Sequence, residues 1–233
     1  MSGLNANIYA KWLTRIYFGL TIILIFAEAL NSVSILFLFK PLLIPTLIAL
    51  YFYTSGSRNI FYIISLFFAW SSNLFLLLST QDFLLYGILA FMFYRIISIY
   101  VVLKLIPKLT VLPFAIACLP FIFIFSSLIN LTMSSLSTSF YPAIINGVLI
   151  SALSGIALSN YVMDDNRMSS WLAISTLLFV VLVFLFMIQK YYFPNEIFQP
   201  ISALIFSTGH YAFYRFVIEA EKCKSSSNNN GFS

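Results

Sequence analysis

Apolar runs of about 20 residues recur along the whole chain and restrict it to folds that are built inside a membrane. A helix of that length crosses a hydrocarbon core of roughly 30 Å. Of the 233 residues, 61% are hydrophobic and 8% are charged, whereas ordinary globular chains carry about 25% charged residues. The breaks between the runs are short and leave no room for a separate soluble domain. The sequence therefore predicts an all-α, polytopic membrane helix bundle.

Polar breaks divide the chain into eight predicted spans. Their bounds are Ile16–Phe39, Pro41–Tyr53, Ile60–Leu78, Phe83–Leu105, Leu109–Leu131, Phe140–Val162, Trp171–Ile188 and Phe198–Ile218. No small-residue cleavage site follows the first run, so we expect it to be retained and not removed as a signal peptide. The predicted organisation is a cytoplasmic segment at 1–15, a membrane domain at 16–218 and a disordered cytoplasmic tail at 219–233, whose Ser- and Asn-rich end has little to bury.

The basic residues predict the orientation of the bundle. If the spans alternate in direction, nine lysines and arginines fall on one side of the membrane: Lys11, Arg15, Arg58, Lys104, Lys108, Arg167, Arg215, Lys222 and Lys224. The other side receives only Lys40 and Lys190. Because cytoplasmic loops carry the excess of Lys and Arg, both termini are expected in the cytoplasm. The net charge of +5 therefore reflects orientation, and no nucleic-acid partner is predicted.

Three ionisable side chains fall deep inside predicted spans: Glu28, Arg95 and His210. A charge in a bilayer core is costly and usually has a function or a partner. Each of the three lies near the middle of its predicted span, so they are expected to share one depth. Asn31 and Ser32 fall on the same helical face as Glu28. Glu28 is interpreted either as a general acid or base, or as a carboxyl group held by Arg95 or Asn31.

The two cationic candidates also leave alternatives open. Arg95 either holds a lipid phosphate, for which its fork of donors is suited, or neutralises Glu28. His210 either moves protons or is a hydrogen-bonded histidine of the bundle. No second His or Cys occurs at ligand spacing, so neither a metal nor another cofactor is predicted. The two cysteines, Cys118 and Cys223, imply no disulfide framework.

Small residues recur every fourth position in the sixth span, at Gly147, Ser151, Gly155 and Ser159. Such a ridge lets another helix approach closely, either across a dimer interface or inside the bundle. We favour packing inside the bundle, because small-residue seams mainly serve helix packing in membranes. The oligomeric state is left open.

Several stretches resemble the YhhN family of lysoplasmalogenase-like membrane proteins, which have eight spans. The sequence Phe-Lys-Pro-Leu-Leu at 39–43 resembles the Lys-Pro-Leu motif at the start of the family's second helix. Leu66–Leu78 is similar to its third helix, and Leu85–Phe91 to the stretch that precedes a histidine in the next one. Thr208–Tyr211 contains Gly-His, as the last helix does in some members. The resemblance rests on the order and spacing of these stretches.

The chain also departs from the family pattern. Ser72-Asn73 stands where the family has Gly-Asp, and Arg95 stands near the position of the family's histidine. A late Ser-Asp pair is replaced by Phe179–Leu182. The family's reaction hydrolyses the vinyl-ether bond of lysoplasmalogens, which requires a positioned acid. Asparagine cannot supply that proton.

The resemblance implies hydrolysis of the vinyl-ether bond of a lysoplasmalogen, or of a related lysophospholipid. The implied catalytic residues are Glu28, His210 and Asn73, and the implied substrate-binding residues are Lys40, Arg95 and Ser72. A non-catalytic lipid-binding or structural role is the alternative, and a small transporter is a third reading that no inverted repeat supports. Membrane lipids are the expected partners, and a bacterial inner membrane is the expected location.

Overall fold

The computed structural model of the chain describes residues 3–78, 80–106, 109–136, 139–164 and 166–230. These residues form eight helices and no strand. The helices are α1 Gly3–Ala29, α2 Val33–Thr54, α3 Ile60–Leu77, α4 Gln81–Leu105, α5 Val111–Leu136, α6 Phe140–Met163, α7 Arg167–Tyr191 and α8 Phe198–Asn230. The predicted all-α bundle of eight helices is confirmed.

The exterior of the bundle is apolar. Helices α1 to α7 are each long and apolar enough to cross a membrane, whereas α8 carries His210, Arg215 and a polar C-terminal part. Large apolar side chains face outward, and Phe26, Leu38 and Phe123 are 63%, 63% and 73% exposed. Soluble proteins rarely expose contiguous apolar surface of this kind. The protein is therefore a multi-pass membrane protein.

The predicted boundary between the first two spans is wrong. The prediction places it after Phe39, whereas α1 ends at Ala29. Asn31 adopts a left-handed conformation with φ of 50°, and the Ser32 amide donates to the carbonyl of Ala27 at 2.9 Å. This is the Schellman arrangement that ends many helices, with Asn at the left-handed position. The chain then turns and begins α2.

The early end of α1 changes the position of Glu28. This residue lies one position before the end of the helix, not near the middle of a span. Asn31 and Ser32 belong to the turn and do not continue a polar helical face. The second span, expected to be short, runs over the 22 residues of Val33–Thr54. It passes Pro41 through a 3-10 turn at Lys40–Leu42, which accommodates a residue without a backbone N–H.

Helices that follow each other in sequence pack together as α1 with α2, α3 with α4, α5 with α6 and α7 with α8. Helix α8 also packs against α1, and α6 contacts α4, α5 and α7. Of the seven apolar helices, α6 is the most enclosed: 61% of its most apolar stretch is buried, compared with 28% for α5. The small residues of α6 allow this central position.

The small-residue ridge of α6 packs against α5. A Cβ atom at Gly155 would overlap Sγ of Cys118 and lie 3.2 Å from the backbone nitrogen of Cys118. A Cβ atom at Gly147 would lie 3.5 Å from Cβ of Phe125. The ridge therefore serves packing inside the bundle, as favoured from the sequence.

Gly155→Ala is expected to lower the thermal unfolding temperature of the purified protein in detergent. The added methyl group must push α5 away from α6, and such overpacking typically costs about 1–3 kcal/mol. Gly19→Ala is the matched control, because nothing lies within 4 Å of a Cβ atom there. Adding Cys118→Ala should restore part of the loss. Equal unfolding temperatures for the two glycine variants would contradict the close α5–α6 contact.

Apart from the buried Arg95, the basic residues that line the two pockets lie at opposite ends of the bundle. Lys40 and Lys190 line a cavity at one end. At the other end, four of the nine basic residues line a second pocket: Lys11, Arg15, Arg215 and Lys222. Lys108 lies outside the described residues. That the end with the termini faces the cytoplasm stays a prediction.

Helical structure extends into both predicted flanking segments. Helix α1 begins at Gly3, and α8 continues to Asn230 where a disordered tail was expected. Once a helix has formed, each further residue adds a hydrogen bond, so a membrane helix can continue beyond its apolar part. Residues 1–2 and 231–233 lie outside the described chain, and the division into flanking and membrane segments stays a prediction.

Candidate functional site

A cavity of about 840 Å³ opens among the helix ends that lie opposite the termini. Its volume lies within the range of small-molecule sites, roughly 300–1,000 Å³. Most of the lining side chains are apolar. The polar and charged members include Glu28, Asn31, Lys40, Ser72, Asn73, Arg95, Asn146, Lys190 and Glu196. An apolar cavity with a few polar groups is typical of a site for an amphipathic ligand.

Arg95 lies near the middle of α4 and lines the cavity while only 1% exposed. Its Nη1 donates to the carbonyl of Asn146 at 3.0 Å, and its guanidinium carbon lies 4.8 Å from the ring centre of Phe91. Nε and Nη2 are buried and have no hydrogen-bond partner in the part of the chain that the structure describes. Arginine stays protonated in proteins, so the guanidinium presents unused donors and a positive charge.

The backbone carbonyl of Asn146 accepts the hydrogen bond from Arg95, and its side chain connects two helices. Its Nδ2 donates to the carbonyls of Ile88 on α4 and Pro142 on α6, at 3.3 and 3.2 Å. The side chain therefore bridges the two helices beside the guanidinium. Because a buried polar group is costly unless bonded, this bridge stabilises one arrangement of α4 and α6 around Arg95.

Glu28 pairs with Lys40 and not with Arg95. Lys40 Nζ lies 2.8 Å from Glu28 Oε1. The pairing follows from the helix break, because the end of α1 and the 3-10 turn of α2 both lie at the same end of the bundle. Glu28 is 7% exposed and its side chain lines the cavity. No ion pair joins Arg95 to any carboxylate within the described ranges.

A second polar contact closes the same end. Asn31 Nδ2 donates to Glu196 Oε2 at 2.8 Å, which ties the turn after α1 to the segment before α8. Lys190, at the end of α7, also lines the cavity and forms no ion pair with a described residue. The rim therefore carries both signs of charge.

The predicted pair Ser72-Asn73 lies on α3 and faces the cavity. Ser72 Oγ donates to the carbonyl of Gly87 on α4 at 2.8 Å, so this hydroxyl group ties α3 to α4. A Cβ atom at Gly87 would come within 2.9 Å of the Leu76 side chain, which is why the helices can approach here. Asn73 is half-buried and lines the cavity.

His210 does not line the cavity. It is fully buried, and its ring centre lies 4.4 Å from that of Phe206, 5.0 Å from Phe179 and 5.2 Å from Tyr94. Neither ring nitrogen has a hydrogen-bond partner among the described residues. Phe206 lines the cavity, so His210 lies behind the wall. The other five predicted site residues share one cavity.

Sequence reasoning missed several polar residues of the cavity, among them Asn146, Lys190 and Glu196. Lys190 carried a usable signal, because it and Lys40 are the only basic residues assigned to their side, and both line the cavity. Asn146 and Glu196 carried no signal of their own. The structure groups no three His, Cys, Asp or Glu side chains as a metal site within the residues it describes.

Comparison with protein families supports the resemblance found in the sequence. The model of the YhhN family matches residues 35–217, which is most of the chain. The chain belongs to the YhhN family. No curated protein and no solved structure matches it significantly. The matched range includes five of the six predicted site residues, and only Glu28 lies before it.

Family membership suggests a lysoplasmalogenase-like membrane protein. This YhhN member nevertheless carries Asn73 at the position compared with a family aspartate, and Asn73 lines the cavity. The carboxylates that line the cavity are Glu28 and Glu196. Glu28 and Glu196 are therefore the carboxyl groups of the cavity that could supply a proton, beside the ammonium groups of Lys40 and Lys190 and the phenol of Tyr191.

Proposed function

We propose that this YhhN family member binds a single-chain phospholipid in the cavity and hydrolyses it as a lysoplasmalogenase-like enzyme. The observation that carries the proposal is Arg95, which lines the cavity of about 840 Å³ and whose buried Nε and Nη2 have no hydrogen-bond partner among the described residues. A guanidinium group in this state favours a phosphate, because its donors form a planar fork. The substrate class is a lysoplasmalogen or a related lysophospholipid.

The cavity offers a complement for each part of such a lipid. Arg95 would hold the phosphate, and the exposed Lys190 would add positive charge at the rim. The hydrocarbon chain would lie along apolar residues that include Leu36, Phe91 and Phe125. Burial of apolar surface stabilises by about 25 cal/mol per Å². Asn73 would orient the head group or a water molecule, and Ser72 would position α3 against α4 beside it.

In the proposed vinyl-ether hydrolysis, Glu28 would act as the general acid. The protonated carboxyl group would give its proton to the β carbon of the double bond, which leaves an oxocarbenium ion at the α carbon. Water would add to that carbon and return a proton to the carboxylate. The resulting hemiacetal breaks its bond to the glycerol oxygen and yields an aldehyde and the glycerophospho head group. Lys40 pairs with Glu28 and would position it.

Non-catalytic lipid binding is the second candidate. It is favoured by the neutral amide of Asn73 and by the ion pair that already engages Glu28. Both candidates require the same partner, a membrane lipid. We propose a bacterial inner membrane as its location, where the cavity would open toward the outer face if the termini are cytoplasmic.

The deciding experiment measures aldehyde release by the purified protein in detergent. Lysoplasmalogen is compared with an acyl lysophospholipid of the same head group and chain length. We expect aldehyde from the vinyl-ether substrate. Saturable lipid binding without turnover would support the second candidate, and the absence of binding would contradict both.

The same assay tests the proton-transfer role implied for His210. His210→Phe fills the aromatic pocket and removes two unpartnered nitrogens, so the variant should fold. If turnover is unchanged in His210→Phe, this residue has no part in the reaction. If turnover falls while the unfolding temperature is kept, the imidazole takes part in the reaction.

A further inference from the structure

A second pocket, of about 520 Å³, lies at the opposite end of the bundle, between α1, α2 and α8. Four basic side chains line it: Lys11, Arg15, Arg215 and Lys222. They come from two helices that are far apart in the sequence and meet only in the folded bundle. The hydrolase proposal does not use this pocket.

The basic residues of this pocket exceed the acidic groups near them. Arg215 and Lys222 share one carboxylate, Glu219, at 3.5 and 3.3 Å. Lys11 and Arg15 are exposed and form no ion pair with any residue that the structure describes. A concave site with clustered cations attracts anions and focuses their field.

The other acidic group near the pocket is already engaged. Glu221 accepts hydrogen bonds from the hydroxyl groups of Tyr51 and Ser55, at 2.5 and 2.7 Å. Those contacts direct the carboxylate toward the end of α2 and not toward Lys11 and Arg15. The α1 side of the pocket therefore remains positive.

Aromatic side chains place the pocket at the boundary between lipid and water. Trp12 is 57% exposed on α1, and the Arg15 guanidinium lies 5.4 Å from its ring centre. The rings of Tyr9 and Tyr53 lie 5.6 Å apart beside it. Trp and Tyr concentrate at membrane interfaces, where one part of the ring is apolar and the other is wet.

We infer that this pocket binds the phosphate head group of an anionic phospholipid from the adjoining leaflet. Basic pockets between membrane helices recognise such head groups by charge, and each Lys or Arg near an anionic surface adds to the attraction. Exposed Ile8 and Ile16 on α1 lie on either side of Lys11 and Arg15 in sequence and offer apolar surface to the acyl chains. A soluble anion would gain nothing from that apolar surface.

The test measures thermal unfolding of the purified full chain in a neutral detergent. Phosphatidylglycerol is compared with phosphatidylcholine of the same acyl chains, and with inorganic phosphate. We expect phosphatidylglycerol to raise the unfolding temperature of the unchanged protein more than the other two. Lys11→Gln combined with Arg15→Gln should lose most of that increase, and both sites are exposed, so the fold should persist.

Two control variants make the test specific. Arg58→Gln with Arg167→Gln removes two charges outside the pocket and should keep the increase. Arg95→Gln should also keep it, because Arg95 lines the opposite cavity. An unchanged increase in the Lys11 and Arg15 variant, an equal loss in the Arg58 and Arg167 variant, or an equal effect of inorganic phosphate would overturn the proposal. If only Arg95→Gln loses the increase in unfolding temperature, phosphatidylglycerol binds in the cavity that Arg95 lines and not in this pocket.

Discussion

Replacing Arg95 with glutamine is expected to weaken binding of a lysophospholipid about 10- to 100-fold. The variant loses the positive charge and the fork of donors, and a hydrogen bond to a charged group contributes about 1.5–3 kcal/mol. The loss should be large here because Nε and Nη2 have no other partner in the described structure. Equilibrium binding of a fluorescent lysophospholipid to the purified protein in detergent measures it.

Two controls separate the role of Arg95 from general effects of charge. Lys190→Gln removes a cation from the exposed rim of the same cavity and should cost less than Arg95→Gln, because exposed charges are screened. Arg95→Lys keeps the charge without the fork and should fall between the two. Equal affinities for Arg95→Gln and the unchanged protein would show that Arg95 does not bind the phosphate. Unfolding temperatures must accompany each value, since Arg95 also bonds to the Asn146 carbonyl.

Replacing Glu28 with glutamine is expected to lower kcat for aldehyde release about 10²- to 10⁴-fold, the usual contribution of a positioned general acid. Glutamine has a similar shape but cannot give the proton to carbon. Lipid binding should change little, because the proposed phosphate contact is Arg95. The measurement is single-turnover release of aldehyde from lysoplasmalogen, with binding followed in parallel.

Glu196→Gln is the matched control for Glu28. It removes the other carboxylate of the cavity, which is exposed and bonded to Asn31. We expect turnover in this variant to stay within a few-fold of the unchanged protein. If Glu196→Gln abolishes turnover while Glu28→Gln does not, the acid role belongs to Glu196. If both variants retain full turnover, neither carboxylate is the acid.

The structure explains why the sequence located Arg95 correctly and Glu28 incorrectly. Arg95 lies inside an uninterrupted helix, so its depth follows from its place in the apolar run. Glu28 lies beside a turn at residues 30–32 that the apolar residues on both sides conceal. The turn is stabilised by Asn31, whose side chain reaches Glu196, 165 positions away in the sequence. A contact of that kind leaves no periodic signal.

The surroundings of His210 also could not be predicted from the sequence. Its position in α8 agreed with a polar centre shared with Glu28 and Arg95. In the bundle, Phe206, Phe179 and Tyr94 surround the imidazole and separate it from the cavity. Residues of one helix predict which face is polar, but two of the three rings that cover His210, Tyr94 and Phe179, come from α4 and α7.

The membrane class, the number of helices and the placing of most Lys and Arg residues near helix ends follow from the amino-acid order alone. A bilayer demands long apolar helices, and it leaves charges at their ends, so both signals are local. Which charges meet was decided by packing. Glu28 pairs with Lys40 because α1 ends early. Arg95 has two nitrogens without a hydrogen-bond partner because no acid packs beside it among the described residues. Those outcomes depend on how helices that are distant in sequence approach each other, and no local pattern encodes that approach.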